Sequence, residues 1–223
     1  MEEPYAVEEG VFKAPLILPE SLEHRRSWFE SVMIRAQRRI IGFAERHSWK
    51  NLTLKSFFDH AEIYDTKKGF DRALTMVSGI AGPVEFPITY SAALENRVLM
   101  AVSPELYAQN YPEGVERNSY EKLLAHEMAH RLHIRILGGN ENAMGPTWFF
   151  EGFAIYAADQ FAGISPRPNS TEIQSIITGA GRMSYRKYGD VFRCFAQKAS
   201  VKEMVEHAAE EDFLTWLRNI KEE

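Results

Sequence analysis

The segment Tyr120-Glu121-Lys122-Leu123-Leu124-Ala125-His126-Glu127-Met128-Ala129-His130-Arg131-Leu132-His133 constrains this chain more than any other. Two histidines four residues apart on a helix lie about 40° from each other around its axis, so both imidazoles can reach a single ion. Glu127 falls on the same side, about 100° from His126 and 60° from His130, within reach of a water at that ion without being a ligand. Asn118 followed three residues later by Glu121 predicts a capping box, and Gly138-Gly139 predicts a stop, so the motif should sit on one helix over 119–137. A helix with no use for these histidines would carry apolar side chains there, because unpaired buried imidazoles cost free energy.

Two histidines are too few for a catalytic zinc, which takes three protein ligands and leaves one position for water. A third histidine in the metzincin manner needs glycine at 133 and histidine at 136, where this chain has His133 and Ile136. The stretch Pro146-Thr147-Trp148-Phe149-Phe150-Glu151-Gly152-Phe153-Ala154 supplies a glutamate instead, far enough along for the first helix to end and a second to return antiparallel. An ionised carboxylate in an otherwise apolar run is expensive without a cation, which marks Glu151 as the third ligand. The small residues Gly152, Ala154, Ala157 and Ala158 would let the second helix approach the first. His133 reads as a packing or helix-surface residue, and the remaining histidines have no metal-ligand spacing.

His-Glu-Met-Ala-His followed by Trp-Phe-Phe-Glu-Gly-Phe-Ala resembles the gluzincin metallopeptidases of the peptidase MA-like group, whose second motif is similar to Trp-Leu-x-Glu-Gly-x-Ala. The resemblance runs loosely from about residue 52 to the C-terminus and leaves the first 50 residues uncovered. It implies a zincin-like fold, with a mixed sheet and motif helix over 51–145, a helical lobe over 146–223, and residues 1–50 as an extension with a long helix. It also implies one Zn2+ on His126, His130 and Glu151, with Glu127 as general base in peptide-bond hydrolysis. Ser184-Tyr185-Arg186-Lys187-Tyr188-Gly189 is similar to the Tyr-x-Lys-Gly segment of the aminopeptidase branch, with one extra residue, and implies Tyr185, or alternatively Tyr188, as oxyanion stabiliser. The family architecture further suggests that a strand near 97–102 receives substrate along the sheet edge. The alternative function is a non-catalytic protein that keeps the scaffold and holds a partner in its cleft; its mark would be loss of Glu127, which is present.

The rest of the chain fits one α+β domain with an elaborated lobe. A 3.6-residue apolar period predicts a helix from Ser21, its cap, to about His47, whose arginines 25, 26, 35, 38 and 39 form a solvated face. Strands are predicted at 52–57, 84–90 and 97–102 with a helix at 66–77 between the first two, and helices at 148–161, 171–177, 185–199 and 201–219. Strands first and helices later favour α+β over alternating α/β. With 26 Lys+Arg against 31 Asp+Glu the net charge is -5, so nothing gathers a phosphate backbone and no nucleic-acid partner is expected. No stretch has the ~20 apolar residues of a membrane span. The acidic N-terminus does not read as a secretory signal, and the single Cys194 fits a reducing, cytoplasmic compartment. The partner these features leave is a peptide or protein substrate; the oligomeric state is unspecified.

Overall fold

The structure, a computed structural model, describes residues 3–163, 167–179 and 184–220. It is α+β with a mixed sheet. A hairpin of β1 (Tyr5–Glu8) and β2 (Val11–Lys13) leads into the short strand β3 (Leu16–Ile17), a 3-10 turn at Glu20–Arg25 and the long helix α1 (Arg26–Arg46). Then follow β4 (His60–Tyr64), α2 (Lys67–Val77), β5 (Ala92–Glu95), β6 (Val98–Val102) and α3 (Pro104–Asn110). The helical part comprises α4 (Ser119–Ile136), α5 (Thr147–Ala157), α6 (Ser170–Thr178), α7 (Tyr185–Ala196), α8 (Val201–His207) and α9 (Phe213–Asn219). No helix among the described residues is long and apolar enough to cross a membrane.

The sheet runs β3-β4-β6-β5, parallel except for β5, which lies antiparallel at the edge. Four consecutive residues of β6, Leu99 to Val102, are buried, so both faces of this strand are covered; α2 and α4 both pack on it. A two-residue turn joins β5 to β6, with Asn96 and Arg97 at φ 46 and 65, the left-handed pair that matches strand twist. Buried side chains from the first 50 residues, among them Leu16, Phe29, Ile40 and Phe43, share one core with those of α4 and α5.

Several local expectations are corrected. No strand forms at 52–57, because the carbonyls of Leu52, Lys55 and Ser56 accept from the Arg135 guanidinium at 2.7, 2.9 and 2.6 Å, and a strand first forms at His60. No strand forms at 84–90 either, where Pro87 removes a donor, and β5 begins after it. Ser21 does not cap α1; its hydroxyl donates to Asp65 at 2.8 Å. The Asn118 capping box is also absent. Asn118 is left-handed, at φ 60, and the Glu121 carboxylate instead accepts from Arg35 at 2.9 Å and Arg39 at 2.7 Å. Arg35 and Arg39 of α1 therefore form an ion-paired seam against α4, while Arg38 pairs with Glu8 of β1 and Arg25, just before α1, with Glu105 of α3. The helix predicted at 201–219 is two, α8 and α9.

Gly152 serves a different contact from the one its sequence context suggests. A Cβ there would lie 2.9 Å from both the Phe192 Cβ and the Tyr188 carbonyl oxygen, so it lets α5 meet α7 rather than α4, and Gly189 answers it against Ile155. Gly152→Ala should therefore destabilise the fold by about 1–3 kcal/mol, since the atoms it meets belong to backbone and a short stem. Urea unfolding of the variant against the parent checks this.

His133 is fully buried and stacks on Phe153 with ring centroids 4.4 Å apart, and neither ring nitrogen has a hydrogen-bond partner. Burial, with the neighbouring His130, pushes its pKa down to about 3. The unfolded chain takes up a proton there below about pH 6.5 and the folded chain does not, so this contribution is complete above that pH. As pH falls it declines by up to about 1.4 kcal/mol per unit until about pH 3. His133→Phe should preserve the stack and flatten this part of the acid dependence. Equal declines of both proteins in urea unfolding between neutral pH and about pH 5 would contradict it.

Candidate metal centre

Helix α4 carries His126, Glu127 and His130 into the interior, and it ends at Gly138 and Gly139, at φ 63 and 91, where the Gly139 N–H returns to the Ile134 carbonyl at 2.9 Å. The chain then turns, and α5 packs on α4 with Glu151 facing the two histidines. His126 Nε2 lies 3.0 Å from His130 Nε2 and 3.3 Å from Glu151 Oε2, and His130 Nε2 lies 3.6 Å from the same oxygen. Donors about 2.1 Å from a tetrahedral ion stand about 3.4 Å from one another. The triad thus has the size of a metal's ligand shell, and it is a His-His-Glu group that could hold a metal ion.

The electrostatics agree with that shape. Burial by itself would raise the Glu151 pKa, yet hydrogen bonds and charge from His126 and His130 hold it well below the usual carboxylate range. Such a carboxylate stays ionised at neutral pH. Glu127 behaves oppositely: burial pushes its pKa up to about 7, with Glu151 adding to the rise, while His126 and the main-chain N–H of Leu94 oppose it. The two carboxylates of the cleft are thus shifted in opposite directions, Glu151 down and Glu127 up.

The cleft, of about 100 Å³, is walled by Thr89, Tyr90, Ser91 and Ala92 on one side and by Tyr107 of α3 and Tyr111 just after it on another. Tyr185 lines it, with its ring centroid 6.2 Å from that of His126. Tyr188 lies one turn further into the core, only 1% exposed. Both edges of β6 are paired, so the strand at 97–102 cannot accept an added strand; the free edge at the cleft belongs to β5. The Val102 N–H donates to the Ser91 carbonyl, so by alternation the main-chain groups of Ala92 and Leu94 point outward from that edge.

Three parts of this site escape sequence reasoning. The Leu94 N–H reaches Glu127 from the sheet edge, Tyr107 and Tyr111 line the cleft, and Gln160 places its Oε1 2.9 Å from His126 Nδ1. No local spacing signals the last pair, which is 34 residues apart.

Comparison of the chain with protein-family models, with curated proteins and with solved structures finds no match. The geometry alone therefore generates the test. The purified chain should bind one equivalent of a divalent ion, and alanine at His126, His130 or Glu151 should weaken binding by orders of magnitude. Titration calorimetry with metal analysis reads the stoichiometry; unchanged affinity in any of the three variants would remove that residue from the shell.

Proposed function

We propose that this protein is a zinc metallopeptidase of the gluzincin type, on a zincin-like scaffold, that hydrolyses peptide bonds in peptide or protein substrates. The observation that carries the reading is the triad of His126, His130 and Glu151, two of its members buried, with a second carboxylate, Glu127, on the same cleft. Zinc, when bound by the triad, supplies Lewis acidity: it acidifies a water and draws charge from the scissile carbonyl.

The chain's own residues supply the rest. Glu127 takes the proton of the attacking water on a carboxylate oxygen and hands it to the leaving amine. The outward main-chain groups of Ala92 at the β5 edge are available to align an extended peptide beside the triad. Tyr185, in the cleft wall, is the tyrosine this reading assigns to the developing oxyanion. A protein that only held partners in the cleft would have no use for a base at Glu127.

Glu127→Gln should retain the metal and lose peptide hydrolysis by several orders of magnitude, because the amide is nearly isosteric and cannot act as the base. A peptide-library assay with metal analysis of the same sample tests it, and cleavage at the parent rate would refute the mechanism. Tyr185→Phe should lower turnover with an unchanged melting temperature. Tyr188→Phe should instead cost about 1–3 kcal/mol of stability with little effect on turnover; the reverse pattern would exchange the two roles.

A further inference from the structure

The turn after α5 is built from residues that resist its shape. Asp159 and Phe161 are left-handed, at φ 56 and 57, a conformation disfavoured for residues with a side chain and most of all for a bulky one such as Phe161. It persists where surrounding contacts over-determine it. Here Arg193 of α7 donates to the main-chain carbonyl of Gln160, and the Phe161 N–H donates to Glu116 at 2.8 Å. Lys122 of α4 ties Glu116 at 2.8 Å and approaches Asp159 at 3.7 Å, while Arg39 of α1 reaches Asp159 at 3.4 Å. Three helices hold one short turn, and its product is the aim of a single buried side chain, Gln160.

We infer that Gln160 is a positioning residue that sets how tightly the centre holds its metal, and that Arg193 acts through it. The inference rests on reading His126, His130 and Glu151 as a metal shell. The Gln160 Oε1 can only accept, so its bond to His126 requires the proton on Nδ1, and in the neutral ring that a metal ligand must be, the Nε2 lone pair then faces His130 and Glu151. A carboxylate in this place would pull that proton harder and make Nε2 a stronger donor. The neutral amide orients the ring without this push, which keeps the bound ion electron-poor and its grip moderate.

The test measures Zn2+ affinity by competition with a chromophoric chelator, and the visible spectrum after loading with Co2+, in the full chain. Gln160→Met, similar in length and a poor acceptor, should bind zinc about 10- to 100-fold more weakly and shift the cobalt spectrum. Gln160→Glu should bind more tightly than the parent. Arg193→Gln should weaken binding in the parent and add no further loss to Gln160→Met, the coupling expected if it acts through that side chain. A parent chain that takes up no zinc would overturn the metal-shell reading itself. A parent that binds zinc, with a Met variant that binds equally well, would overturn this inference alone. If the Met variant does not fold, the Glu variant decides: affinity at or below the parent's overturns the proposal.

Discussion

Two imidazoles and a carboxylate, facing one another at 3.0 to 3.6 Å with only His130 partly exposed, form the arrangement on which the other elements depend. Bringing these groups out of water is costly, and what offsets it is their pairing with one another and the Gln160 bond to His126. The cluster is held open by elements that cannot adjust independently. Helix α4 is buried against α1, α5 and the sheet, and α5 is fixed in turn by α7 through the facing glycines 152 and 189. The ion pairs of Glu121 with Arg35 and Arg39 anchor the first turn of α4, two turns before Glu127. Since Glu121 is nearly inaccessible, these pairs differ from a surface bridge: removal of either arginine would leave a buried carboxylate with less compensation.

The parts legible in the sequence are those decided within a few residues. The i, i+4 histidines, the carboxylate of Glu151 in an apolar run and the Gly138-Gly139 stop all have local causes, and α4 and α5 begin within a residue of their predicted starts. The helix at 66–77 is similarly local, since Thr66 accepts from the Gly69 N–H as an N-cap. What was illegible depends on partners far along the chain. Arg135 takes the carbonyls that a strand at 52–57 would need, and Glu121 serves α1 instead of its own helix terminus. The Gln160 turn has no local signature because residues with side chains stand where glycine would have announced it.

The same long-range bonds explain why residues near the N-terminus bear on the site although the motifs lie far from them. Arg39 meets both Glu121 and Asp159, so one α1 side chain touches the start of the motif helix and the turn that aims Gln160. Arg135 ties the end of the motif helix to three carbonyls before β4 while lying 4.7 Å over the Phe57 ring. Its burial lowers the guanidinium pKa to about 10, which still leaves it charged at neutral pH. The motif helix is therefore pinned at both ends by arginines, and rotation about its axis, which would separate the histidines from Glu151, is opposed at each.

Under the peptidase reading, the β5 edge limits how a substrate can be recognised. Of the two residues whose main-chain groups face outward, Leu94 already spends its N–H on Glu127, and the strand ends at the Asn96-Arg97 turn. Strand addition is thus confined to the few positions around Ala92, too few for main-chain pairing to supply much affinity by itself. Discrimination between peptides then falls to the side chains that wall the cleft. These are largely aromatic, from Tyr107 on α3 and Tyr111 just after it to Tyr185 on α7, and the Tyr107 hydroxyl is already donated to the Gly114 carbonyl at 3.0 Å. The rings of this wall present faces and edges to a bound peptide, so it favours an apolar or aromatic side chain beside the scissile bond over a charged one, whose desolvation there would be costly.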